Sequence, residues 1–178
     1  IFTSKYPGFL AQSSREEVLE YFRTAGISRL FVFPGRFHTD PDLSSLPENI
    51  AFFHENGIEL GIWITTLGMG NPLPSKSKEK TKDYTSLHSV SGVVAGDAYC
   101  PRSKPFRRDL MAYIKKLAEF KPDMIMLDDD LTISARPGMG CFCEEHMKAF
   151  EEKLGKAYSL EELKEKIFCG GPTVERGA

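Results

Sequence analysis

Residues 124–147 read MIMLDDDLTISARPGMGCFCEEHM. Four apolar residues run into three aspartates, then a glycine-rich loop, then a helix opening on Cys-Phe-Cys-Glu-Glu-His. A short unbroken apolar run suits a strand covered on both faces, as in a parallel sheet. The same pattern recurs upstream. Leu30-Phe31-Val32-Phe33, ended by Pro34-Gly35, is one such run, and residues 58–65 (IELGIWIT) are another.

Helical segments separate these runs. Ser13 and Ser14 stand at capping-box spacing from Glu16 and Glu17, ahead of an apolar stripe of Val18, Leu19 and Phe22 closed by Gly26. Residues 47–56 predict a helix with Ile50 and Phe53 inward, stopped by Gly57. Residues 105–120 predict another, with Leu110, Ile114 and Leu117 on one stripe. Residues 1–10 suit a first strand, and Ser159 with Glu162 caps a last helix through Leu160, Leu163 and Ile167. Residues 68–82 read as a solvated polar loop, and 84–99 as an ambiguous insert with room for a short hairpin.

A strand–helix repeat of this kind gives an α/β fold with a parallel sheet. Two architectures fit, an open doubly wound sheet or part of a (β/α)8 barrel. A whole TIM barrel takes about 250 residues, and the chain has 178. The expectation is therefore the N-terminal half of a barrel, about four strands, as a single domain over residues 1–178 truncated at its C-terminus. In both architectures sites gather at the carboxyl ends of the strands.

Composition narrows the function. Hydrophobic residues make up 41% of the chain, enough for a real core. Lys and Arg total 23 against 25 Asp and Glu, with no basic face, so neither nucleic acid nor an anionic membrane is an expected partner. No apolar run approaches the roughly 18 residues of a membrane span. Four cysteines are few for a disulfide scaffold of this size, so reduced thiols and a cytoplasmic location are expected. The start at Ile1, with no Met and no signal-peptide pattern, suggests a trimmed or partial chain.

Cys141, Cys143 and His146 form C-x-C-x2-H at a helix start. Zinc takes four soft or borderline ligands in a tetrahedron. The C-x-C turn can bring two thiolates together, and one helical turn brings His146 beside Cys143. The fourth ligand must come from elsewhere: Cys100, followed by Pro101, is the first candidate and Cys169 the competitor. A zinc with four protein ligands is structural.

Asp128, Asp129 and Asp130 close a strand at its carboxyl end. Crowded carboxylates repel, which raises a pKa toward what a general acid needs. Clustered carboxylates also suit Mg²⁺. Trp63 near the end of the preceding strand offers a stacking face for a sugar ring. Arg36 and His38 follow the second strand and are candidates to bind a substrate hydroxyl or carboxylate.

These residues resemble the catalytic barrels of glycoside hydrolases, and specifically the beta-galactosidases of family forty-two. The resemblance spans roughly residues 58–150. It implies a structural zinc held by a cysteine after the third strand and a cluster after the fourth, here Cys100, Cys141, Cys143 and His146, the histidine standing where the family has a last cysteine. It implies a general acid/base at the end of the fourth strand, here Asp129 or Asp130 beside Asp128, where the family has Asn-Glu. It implies a nucleophile on a later strand. The expected function is hydrolysis of O-glycosidic bonds in a carbohydrate substrate, completed by the remaining barrel half or by self-association. The alternatives are a non-catalytic carbohydrate-binding barrel and a Mg²⁺-dependent enzyme built on the aspartates.

Overall fold

The apolar runs become strands where the sequence places them. A computed structural model of the chain describes residues 2–5, 14–68, 79–128 and 140–168. Its elements in order are β1 (Phe2–Lys5), α1 (Arg15–Ala25), β2 (Arg29–Val32), α2 (Leu46–Glu55), β3 (Glu59–Ile64), β4 (Ser86–His88), β5 (Val94–Tyr99), α3 (Lys104–Glu119), β6 (Met124–Leu127), α4 (Glu144–Leu154) and α5 (Leu160–Phe168). The chain divides into two units. The first is Ile1–Thr66 with Asp109–Asp129, and the second is Leu67–Arg108 with Asp130–Ala178.

The first unit holds a parallel sheet ordered β1-β2-β3-β6. Leu30, Val32, Leu60, Ile62 and Ile64 share one core with Val18, Leu19 and Phe22 of α1, Leu46, Ile50 and Phe53 of α2, and Tyr113 and Leu117 of α3. Side chains alternate along a strand, so all three helices cover one face of the sheet. Phe31, Gly61, Trp63, Met124 and Met126 therefore stand on the opposite face.

Gly61 is what lets that second face close-pack at its base. A Cβ there would lie 2.5 Å from Cε1 of Phe31 and 2.8 Å from Cγ of Met124. The missing side chain makes room for the Phe31 ring, which is buried. One step along, Phe33 and Trp63 set their rings 6.0 Å apart at 55°. Met126 is the ladder partner of Trp63.

Local chemistry fixes the helix ends as read from sequence. Ser14 caps α1, accepting from the N–H of Glu17 at 3.1 Å, while the Glu17 carboxylate accepts from the N–H of Ser14 at 3.0 Å. Ser159 and Glu162 repeat the box ahead of α5. The ambiguous insert resolves into an antiparallel pair, β4 with β5, joined through Ser89–Gly92, where the Ser89 hydroxyl accepts from the Val93 N–H at 2.9 Å.

His54, which carried no role in the sequence reading, is a structural partner. Its Nε2 lies 2.5 Å from Oδ2 of Asp123, which also accepts the Leu60 N–H at 2.7 Å. One carboxylate thus joins the end of α2 to the start of β3, just ahead of β6.

Candidate metal centre and the strand ends

The second unit brings together the four residues that the C-x-C-x2-H spacing and the Cys-Pro pair singled out. The ligand atoms of Cys100, Cys141, Cys143 and His146 all lie within 4.8 Å of one another. Sγ of Cys143 is 3.5 Å from Sγ of Cys100. Nδ1 of His146 is 3.2 Å from Sγ of Cys100 and 3.6 Å from Sγ of Cys143. Zinc bonds of about 2.3 Å to sulfur and 2.0–2.1 Å to nitrogen put tetrahedral neighbours about 3.6–3.8 Å apart. The group is therefore sized to hold a metal ion, with His146 presenting Nδ1. The competing candidate, Cys169, lies outside the described residues.

Each of the four residues is positioned by ordinary backbone structure. Cys100 follows β5, its N–H donating to the Thr85 carbonyl at 2.8 Å and its carbonyl accepting from Ser103 at 3.0 Å. Gly140, at φ 114°, turns the chain into Cys141 through a conformation that a side chain would oppose. Phe142 then donates to the His88 carbonyl at 2.8 Å, docking the C-x-C turn on the hairpin. Cys143 is the N-cap of α4, which sets His146 one turn into the helix. Leu87, Ala95 and Ala98 pack around the three sulfurs, all of which are buried.

No disulfide links these cysteines; a bond would need sulfurs about 2.05 Å apart. Without metal the cluster concentrates one negative charge. Cys141 is lowered to about 3, first by the hydrogen bond from Cys100, against burial, and then by His146 and the backbone of His88 and Cys143. Cys100 is pushed far up, by its hydrogen bond to Cys141 and then by burial. Cys143 is pushed up, chiefly by burial. A divalent cation removes this conflict, because it stabilises all the thiolates at once. His88 is the supporting residue that sequence reading missed; its contribution is made by backbone, which leaves no trace in residue type.

The other candidates fall at or near the strand ends of the first unit. Asp128 follows β6, and its N–H donates to the Ile64 carbonyl at 2.9 Å, extending the ladder by one step. Alternation then sets Asp128 on the face of Met126 and Trp63. Asp129 and Asp130 lie outside the described residues. Trp63 is half-buried on the sheet face opposite α1, α2 and α3. Arg36 is half-buried at the start of a short 3-10 turn, Phe37–Thr39, whose His38 is buried with its ring edge-on to Phe37 at 5.1 Å. Tyr113 of α3 donates to the Gly35 carbonyl at 3.2 Å and steadies the loop that carries them.

No protein-family model and no curated protein matches the sequence. Solved structures match its fold. The catalytic domain of a beta-amylase from Paenibacillus polymyxa superposes with a TM-score of 0.54 at 17% identity, covering 99% of this chain and 52% of that one. An alpha-galactosidase from Lactobacillus brevis gives 0.51 at 11%, covering 70% and 20%. A hypothetical protein from Ruminiclostridium thermocellum gives 0.52 at 14%, covering 72% and 75%. The chain thus spans about half of the beta-amylase catalytic-domain chain and a fifth of the alpha-galactosidase chain. At such identities the likeness is one of fold: a mixed α/β fold with a parallel sheet, shared with the glycoside hydrolase structures. Among the described residues, no helix is long and apolar enough to cross a membrane.

Proposed function

We propose that this chain forms the first part of a (β/α)8 barrel that hydrolyses O-glycosidic bonds, with zinc as the ion of its Cys3His group. The observation that carries the barrel reading is the sheet itself. Its strands run in chain order and α1, α2 and α3 all cover one face, whereas a doubly wound sheet reverses strand order and takes helices on both. Among the described residues β6 has β3 as its one neighbour, and its Leu127 is 46% exposed. The remaining barrel half is the expected partner along that edge, with self-association the alternative.

The aspartate run supplies the chemistry. A carboxyl of Asp128, Asp129 or Asp130 donates its proton to the leaving glycosidic oxygen. Asp128 is the member whose register sets it with Trp63. A second carboxylate, from a later strand, attacks the anomeric carbon or activates water, since this chemistry uses two. Arg36, His38 and Trp63 are the proposed substrate contacts. Zinc with three thiolates and one imidazole keeps no open position; its part is to hold the segment after β5 against the start of α4. Reduced, metal-ready thiols fit a reducing compartment such as the cytoplasm.

The test is hydrolysis of aryl galactosides and of maltooligosaccharides by the protein carrying its full barrel. Activity abolished in Asp128→Asn, Asp129→Asn or Asp130→Asn supports the reading. Tight sugar binding without cleavage would replace it with the carbohydrate-binding alternative. Activity lost to EDTA and restored by Mg²⁺, with zinc still bound, would replace it with the Mg²⁺ enzyme.

A further inference from the structure

We infer that the indole N–H of Trp63 is a substrate hydrogen-bond donor, a specificity contact distinct from ring stacking; the inference rests on the carbohydrate reading above. The motivating observation is an orphan. Nε1 of Trp63 is shielded from solvent and has no hydrogen-bond partner among the described residues. Tryptophan is placed with its N–H satisfied in most buried settings, and an unpaired buried donor calls for a physical reason.

Position supplies the reason. Trp63 stands on the sheet face opposite α1, α2 and α3, near the carboxyl end of β3, where sites gather in this kind of fold. Below it, the Phe31 ring laid across Gly61 fills the base of that face. Phe33 flanks the indole at 6.0 Å. Above it, the ladder places Thr65 and Asp128 in the next row, one hydroxyl and one carboxylate. Met126, the ladder partner of Trp63, is the neighbour with an unbranched, adaptable side chain that can give way to an entering group. An apolar floor, one unsatisfied N–H and a polar rim match a pyranose: its C–H face against Phe33 and the indole, one ring hydroxyl accepting from Nε1, others toward Thr65 and Asp128. A ligand without an acceptor at that position leaves the N–H unpaired and binds less well.

The chain contains one tryptophan, so its indole N–H gives one resonance. The experiment follows that resonance in ¹⁵N-labelled protein on adding methyl α-galactoside or maltotriose, with binding measured independently by calorimetry. Expected are a saturable downfield shift of the indole proton and slower exchange with water. Trp63→Phe, which keeps a ring and removes the donor, is expected to weaken binding about tenfold, the ordinary worth of one hydrogen bond. If calorimetry shows a sugar binding while the indole resonance stays in place, the donor role is overturned and the carbohydrate reading stands. If neither sugar binds, both are overturned.

Discussion

The sulfur of Cys143 lies 3.5 Å from that of Cys100, 43 residues earlier in the chain. Two segments with no sequence-local reason to meet are held within metal-bridging distance. That contact, together with Cys141 and Nδ1 of His146, is the basis of the first prediction.

Protein purified without chelator should contain one zinc per chain, read by atomic emission. Cys100→Ser should lose it, as should Cys143→Ser. A structural zinc contributes folding free energy outright, and its loss should lower stability by on the order of 3 kcal/mol or more. Urea unfolding before and after exhaustive chelation checks the magnitude. Metal-free protein of unchanged stability would refute a structural role.

Asp123 should tie stability to acid pH. Burial alone would raise its pKa, but the hydrogen bonds from His54 and the Leu60 N–H, with the nearby His54 charge, outweigh that and lower it below the usual 3.8. A carboxyl with a lowered folded pKa adds stability that is complete above its unfolded value and is lost as pH falls through the folded one. Asp123→Asn should therefore cost about 1–2 kcal/mol at pH 7, discounted for partial exposure. The gap between wild type and variant should narrow below about pH 4. Denaturant midpoints measured from pH 7 to pH 2.5 test this; a gap independent of pH would show that packing, and not charge, is at work.

Gly61→Ala should destabilise despite replacing glycine within a strand. The added carbon would meet Phe31 at 2.5 and 2.7 Å and Met124 at 2.8 Å. Overpacking of this kind costs about 1–3 kcal/mol. Phe31→Leu in the Gly61→Ala background should recover part of the loss, seen as a non-additive double-mutant cycle. Strict additivity would count against the close approach.

Asp128→Asn, a nearly isosteric change, should leave the protein folded, as read by circular dichroism. In the full-barrel protein it should reduce kcat for aryl glycosides by at least about 100-fold, the ordinary contribution of a general acid. Full activity in this variant would move the acid/base role to Asp129 or Asp130, which separate variants would distinguish.

Sequence alone determined the local elements and pointed to the Cys and His residues of the candidate metal group. Apolar runs bounded by proline, glycine and aspartate became β2, β3 and β6, because a strand covered on both faces needs apolar side chains on each. Ser14 with Glu17 and Ser159 with Glu162 marked helix starts, because capping is chemistry between residues three apart. Cys141, Cys143 and His146 were legible for the same reason, and Cys100 by residue type.

Tertiary structure decided the rest. Strand order, and the sheet face that α1, α2 and α3 cover, came from the fold, since periodicity records burial and not which neighbour provides it. Only the fold chose the acceptor of the His54 imidazole, the Phe31 ring that Gly61 admits, and the backbone support that His88 gives the thiolates. It also left Nε1 of Trp63 without a partner among the described residues. Each of these depends on atoms brought together from distant parts of the chain, and contact at that range is fixed by packing, which no local pattern encodes.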